Sequence, residues 1–107
     1  MISARFQRDG EKIKLSMRGH ANYAEGQADI VCAAVSGIFY SLIGYLAICT
    51  SDTSFDRIGH GYADVVCSTE GESAMKQTCI GLIQIQNTYP ECVDVKEDVW
   101  QLGAIRA

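Results

Sequence analysis

The sequence lacks any run of lysine and arginine. Its nine cations are scattered among thirteen acids, for a net charge of −4. Nucleic-acid recognition relies on a basic patch that neutralises phosphates, so direct DNA or RNA binding is not expected. An acidic balance suits a basic partner instead, by steering more than by tight contacts. No two of the five cysteines, at 32, 49, 67, 79 and 92, stand as C-x-x-C, and their number is odd. The opening stretch, "MISARFQRDGEKIKLSMRG", has no apolar core of the signal-peptide kind. A disulfide framework is therefore not expected, and reduced thiols in a cytoplasm are the simplest reading. Most of these cysteines read as small buried hydrophobes. With no repeat, linker or low-complexity tract, residues 1–107 read as a single domain, long enough for a core without staples.

What the chain does have is apolar content, 48% hydrophobic against 21% charged, as in a globular protein. Residues 30–51, "IVCAAVSGIFYSLIGYLAICTS", carry no charge and are long enough to cross a bilayer. Ser36, Gly37, Tyr40, Ser41, Gly44 and Tyr45 dilute the run, acids flank it at Asp29 and Asp52, and no basic anchor stands beside it. The expected state is a helix buried against a sheet and partly at a subunit interface, not a membrane span.

Alternation of Ile13, Leu15 and Met17 with Lys12, Lys14, Ser16 and Arg18 predicts a strand, paired through an Asp9-Gly10 turn with a strand over 2–8. Residues 19–29 read as a loop and 30–49 as a helix with Asp29 as N-cap. After a loop at 50–54, a second hairpin is expected from 55–58 and 62–68. A second helix follows over 72–88, with Met75, Cys79, Leu82 and Ile83 on one face. Its end is set by Pro90, the sole proline, which disfavours helix at Tyr89. Residues 92–100 read as a last strand. The order ββαββαβ gives an α+β fold, a two-layer α/β sandwich with a mostly antiparallel sheet and two helices.

Chemistry concentrates in "GHANYAEGQADIVCAAVSG". With Asp29 as N-cap, Cys32 is the third helical residue, where free N–H groups and the helix dipole favour a thiolate. The same N–H groups can hold a carbonyl oxygen as it becomes negative. His20, at the end of a strand, supplies a base with a pKa near working pH. The plainer alternative is a packed cysteine and a turn histidine, which the spacing by itself does not exclude. Asp29 reads first as a cap and Ser36, one turn after Cys32, as a structural hydroxyl, so both are only supporting candidates. A second pair, His60 and Cys67 in "GHGYADVVC", lacks a helix start to activate the thiol. No zinc-finger spacing links the histidines and cysteines, so neither metal nor cofactor is expected.

The same block resembles the ribosomal-processing cysteine protease family of bacteria. Its signature appears as Gly19-His20-Ala21, then Gly26-Gln27-Ala28-Asp29-Ile30-Val31-Cys32-Ala33, then Ser36. The resemblance implies a cysteine endopeptidase that removes a short N-terminal extension from a large-subunit ribosomal protein, cutting after an aromatic residue. It implies Cys32 as nucleophile, His20 as base and acid, and a substrate loop of Ala21, Asn22, Tyr23, Ala24, Glu25, Gly26, Gln27 and Ala28. It also implies a homodimer whose partner is the peptide substrate. Two other classes stand beside this reading. One is a non-catalytic binding module for a ribosomal protein or an assembly intermediate. The other is an acyl-transfer or redox enzyme using the same thiol, although the nearest cysteine in sequence, Cys49, is about 25 Å away along one helix.

Overall fold

A computed structural model describes residues 1–19, 27–51, 54–59 and 61–102, with the side chains of 27–29 and 54–59 outside the description. Strands β1 (Ile2–Asp9) and β2 (Lys12–Gly19) form the expected hairpin, with Gly10 at φ 62° in its turn. Helix α1 (Gln27–Cys49) leads to β3 (Ser54–Gly59) and β4 (Tyr62–Cys67), a second antiparallel hairpin. A short 3-10 turn (Thr69–Gly71), helix α2 (Glu72–Thr88) and β5 (Val93–Glu97) complete the chain.

The sheet runs β3-β4-β2-β1-β5, antiparallel except where β5 lies parallel to β1. Each helix is thus a crossover between two strands of the same direction, β2 to β3 through α1 and β4 to β5 through α2. Both helices lie on one face, giving the expected α+β two-layer sandwich. That face carries Ile2, Ala4, Phe6, Ile13, Leu15, Met17, Ala63, Val65, Cys67, Val93 and Val95, all buried. Strand alternation sends Ser3, Arg5, Gln7, Lys14, Arg18 and Lys96 to the opposite face.

From α1, Val31, Val35, Phe39, Leu42 and Leu46 enter the core at helical spacing. From α2 come Met75, Cys79, Leu82 and Ile83, as the periodicity predicts, joined by Thr78, whose hydroxyl donates to the Ala74 carbonyl. By length and composition Ile30–Cys49 is apolar enough to cross a membrane, but in this fold one stripe of it packs on the sheet. Its other side leaves Ile30, Tyr40, Tyr45 and Ile48 exposed.

Two boundaries differ from expectation by more than one residue. The last strand stops at Glu97, not at residue 100, because the Glu97 carboxylate accepts the N–H of Trp100 at 3.0 Å and turns the chain. The first helix begins at Gln27, not at Ile30, and this change reaches the site.

Candidate active site

Gln27 and Ala28 are good helix formers that follow Gly26, and the helix takes them up before the acidic residue that resembles a cap. Asp29 is therefore inside the first turn and is not the N-cap. Gln27 and Ala28, expected in the substrate loop, are helical as well. Cys32 consequently lies in the second turn, about 7.5 Å along the axis from Gln27 at 1.5 Å per residue. In helical geometry its own N–H bonds back to the Ala28 carbonyl, and the free donors are those of the first turn. The dipole acts mainly within that first turn, beyond which Cys32 lies.

Cys32 is half-buried beside the fully buried Val31 and packs against the core at the edge of the α1 stripe. Helical side chains lean towards the N-terminus, which carries the Cys32 thiol back over the first turn. Ser36, one turn on, is exposed. The other cysteines have different surroundings. Cys67, Cys79 and Cys92 are fully buried, and Cys49 is exposed at the far end of α1. Cys67 points into the core from β4, which removes it as a nucleophile for water-borne substrate.

His20, the loop Ala21–Gly26 and His60 lie outside the described residues. What is described is the point from which His20 departs. Gly19 has φ 97°, a left-handed conformation open to glycine, and a Cβ there would overlap the Met1 carbonyl oxygen. Its N–H donates to the Gly61 carbonyl at 2.8 Å, tying the end of β2 to the β3–β4 turn. Next to it the Arg18 guanidinium makes a two-pronged ion pair with Asp64, both N–O distances 3.0 Å, and also donates to the Met17 carbonyl. Hydrogen bonding from Arg18 lowers the Asp64 carboxyl below its ordinary value, against the opposing effect of burial. Sequence reasoning gave Gly19 no role, although a glycine immediately before a candidate base was the available signal. It missed the Arg18–Asp64 pair because nothing in the spacing of 46 residues brings them together.

A groove of about 500 Å³ runs between the helices, lined by Ile38, Ser41, Tyr45, Ser73, Gln77 and Gly81 among others. At 3.6 residues per turn Cys32 points about 120° away from Ile38, so the groove and the thiol occupy different flanks of α1. Among the described residues no three histidine, cysteine or acidic side chains gather as a metal site.

The profile of the family described as "Cysteine protease Prp" matches residues 1–94. The chain belongs to that family. The Prp match runs from β1 to the start of β5 and includes the whole block from Gly19 to Ser36. The fold agrees with crystal structures of an essential ribosomal processing protease Prp from S. aureus. The structure with a covalently linked product peptide has TM-score 0.78 and 22% identity, covering 92% of this chain and 100% of that one. The structure with a substrate peptide gives 0.76 and 20%, with the same coverage. The protein SMU.848 from Streptococcus mutans has TM-score 0.71 and 28% identity over 91% of this chain and 93% of its own. No protein in a search of curated sequences matches. As a Prp family member the chain is a cysteine protease.

Proposed function

We propose that this Prp protease removes a short N-terminal extension from a large-subunit ribosomal protein in the cytoplasm, cutting after an aromatic residue. Cys32 is the nucleophile and His20 the general base and acid. The observation that carries the assignment is the placement of Cys32, half-buried at the N-terminal end of α1, one loop after Gly19-His20, while Cys67, Cys79 and Cys92 are sealed in the core. The peptide-bound S. aureus structures, named as ribosomal processing proteases, support the substrate class.

In this reading His20 takes the thiol proton and the Cys32 sulfur attacks the scissile carbonyl carbon. First-turn N–H groups of α1 hold the oxyanion, since the N–H of Cys32 is engaged within the helix. Collapse breaks the C–N bond, and His20 protonates the departing amine. Water, deprotonated by His20, then adds to the thioester and releases the acid with a free thiol. Residues 21–26 belong to the substrate loop in this reading. Asp29 and Ser36 take no proton in this scheme.

The enzyme acts as a homodimer joined through the uncharged face of α1. Its exposed Ile30, Tyr40, Tyr45 and Ile48 form the kind of apolar surface that association covers.

The deciding experiment incubates a peptide spanning such an extension with wild type and with Cys32→Ala, and reads products by mass spectrometry. A single cut after an aromatic residue, made by wild type alone, is expected. Cleavage by folded Cys32→Ala at the wild-type rate overturns the assignment.

A further inference from the structure

The sheet has two outer strands, β5 and β3, and they are finished differently. On the side of β5 away from β1, the Val95 N–H donates to Gln86 Oε1 at 2.6 Å and the Val93 N–H to the Tyr89 carbonyl at 3.3 Å. The end of α2 thus occupies the backbone donors of that edge. Strand β3 pairs with β4 on one side, and among the described residues no strand pairs with it on the other.

The ladder decides which β3 groups are left over. Gly19 donates to the Gly61 carbonyl, and in an antiparallel pair such bonds recur at every second residue. Ala63 and Val65 therefore turn their backbone groups to β2, and Tyr62 and Asp64 turn theirs to Gly59 and Arg57 of β3. Ile58, between those two, directs its N–H and C=O outward. A break in register between Phe55 and Arg57 bends the strand just before it. Open backbone groups of this kind are what an extended peptide pairs with when it adds as a further strand.

This edge stands beside the candidate chemistry. Gly59 is level with Tyr62 and Tyr62 with Arg18, so β3 finishes at the end of the sheet from which His20 departs. Helix α1 runs from that end back to the start of β3, so its first turns, with Cys32, stand there too. The flank also agrees. At 3.6 residues per turn, Cys32 and Ile38 fall about 60° to either side of the centre of the buried stripe Val31, Val35, Phe39, Leu42 and Leu46. Ile38 faces α2, where a Cβ on Gly81 would come within 3.2 Å of it, and α2 covers the β5 side through Gln86. The Cys32 flank therefore looks the other way, towards β3.

We infer that the peptide substrate is captured as an added strand on the open edge of β3, paired with the Ile58 backbone, its scissile bond carried past the Gly59 end towards Cys32. The inference rests on Cys32 being the nucleophile. Backbone pairing holds an extended chain whatever its side chains, so it supplies affinity and register and leaves selectivity to side-chain pockets.

Two measurements test it. Amide exchange of the full Cys32→Ala chain is followed by NMR with and without the uncut extension peptide at saturation. The Ile58 amide should slow several-fold on binding, with the Val95 amide of β5 unchanged. Peptides with a single backbone N-methyl group are then given to wild type. One position, whose N–H meets the Ile58 carbonyl, should lose about tenfold in kcat/KM, one hydrogen bond's worth, while both its neighbours cut as the parent does. If wild type cuts the peptide while the Ile58 amide exchanges as in the free chain, the inference falls and the cleavage reading stands. Equal losses at neighbouring methylated positions, or slowing confined to the groove between α1 and α2, do the same. If wild type leaves the peptide uncut and Cys32→Ala does not bind it, both fall.

Discussion

The Gly19 N–H donates to the Gly61 carbonyl at 2.8 Å, one residue before His20, in a left-handed conformation that no side chain fits. The end of β2 is therefore fixed where the candidate base leaves the sheet. Gly19→Ala is expected to strain the backbone by about 1–3 kcal/mol and to push the strand end away from Met1. Cleavage should fall by more than the melting temperature accounts for, because positioning of a catalytic group tolerates little displacement. Steady-state kinetics beside a thermal melt decides this. A variant with wild-type kcat/KM removes Gly19 from the site's geometry.

The cysteines separate nucleophile from core. Cys32→Ala and His20→Ala should each abolish cleavage while melting as wild type does. Cys67→Ala should cut nearly as well as wild type and lose about 1–2 kcal/mol of stability, because its sulfur fills core space against Gly71. Alkylation at neutral pH should label Cys32 and Cys49 and spare Cys67, Cys79 and Cys92 until the chain unfolds.

Asp64 gives the fold an acid sensitivity of definite sign. Its folded-state pKa lies below the ordinary 3.8 because Arg18 hydrogen-bonds the charged form. The pair therefore stabilises fully above that ordinary value, and the contribution is lost as pH falls through it towards the lowered folded value. Asp64→Asn should cost about 1 kcal/mol at neutral pH, the guanidinium being half exposed, and should flatten the acid limb of stability below pH 3.8. Urea unfolding at a series of pH values measures it. An unchanged acid limb in Asp64→Asn would assign that limb to another carboxylate, with Glu72, held low by Arg8 and Trp100, the next to test.

The two helices and both hairpins were legible because each is a local pattern: alternation at 13–17, helical periodicity at 75–83, a proline at 90. The site was legible as a motif, yet its local geometry was misread. An acid at 29 has the chemistry of a cap, and only the competing helix propensity of Gln27 and Ala28 shows that the helix starts earlier. What stayed hidden depends on pairing between distant strands. The parallel β1–β5 contact and the Arg18–Asp64 pair arise from the strand order, which no single segment encodes. The overlong last strand failed for a smaller reason, a side chain: Glu97 takes the N–H groups of Trp100 and Leu102, and Glu72 takes the Trp100 indole.

The joint between the 3-10 turn and α2 is packed without slack. A Cβ on Gly71 would lie 2.6 Å from Leu46 Cδ2 and 2.9 Å from Cys67 Sγ, both in the core. Its conformation suits any residue, so the objection to a side chain is volume alone. Gly71→Ala should destabilise by about 1–3 kcal/mol through overpacking, read as a lowered urea midpoint. The double variant with Cys67→Ala should recover part of that loss, because the smaller side chain vacates the contact. No recovery would place the strain on Leu46.

The uncharged face of α1 sets the assembly. Tyr40 and Ile48 are 62% and 85% exposed, and Gly44 between them has open space where a Cβ would point. Side chains this apolar gain about 1.5–3 kcal/mol each when fully covered, enough for a few of them to hold two copies together. A glutamate in a covered face must be desolvated without a partner, whereas on a free face it is merely solvated. Ile48→Glu and Tyr40→Glu should therefore convert a dimer to a monomer with little change in melting of the isolated fold. Light scattering behind a sizing column reads the mass directly. If wild type is monomeric across the micromolar range, the dimer is lost from the proposal while the thiol chemistry of Cys32 stands, because nothing in that chemistry draws on a second copy.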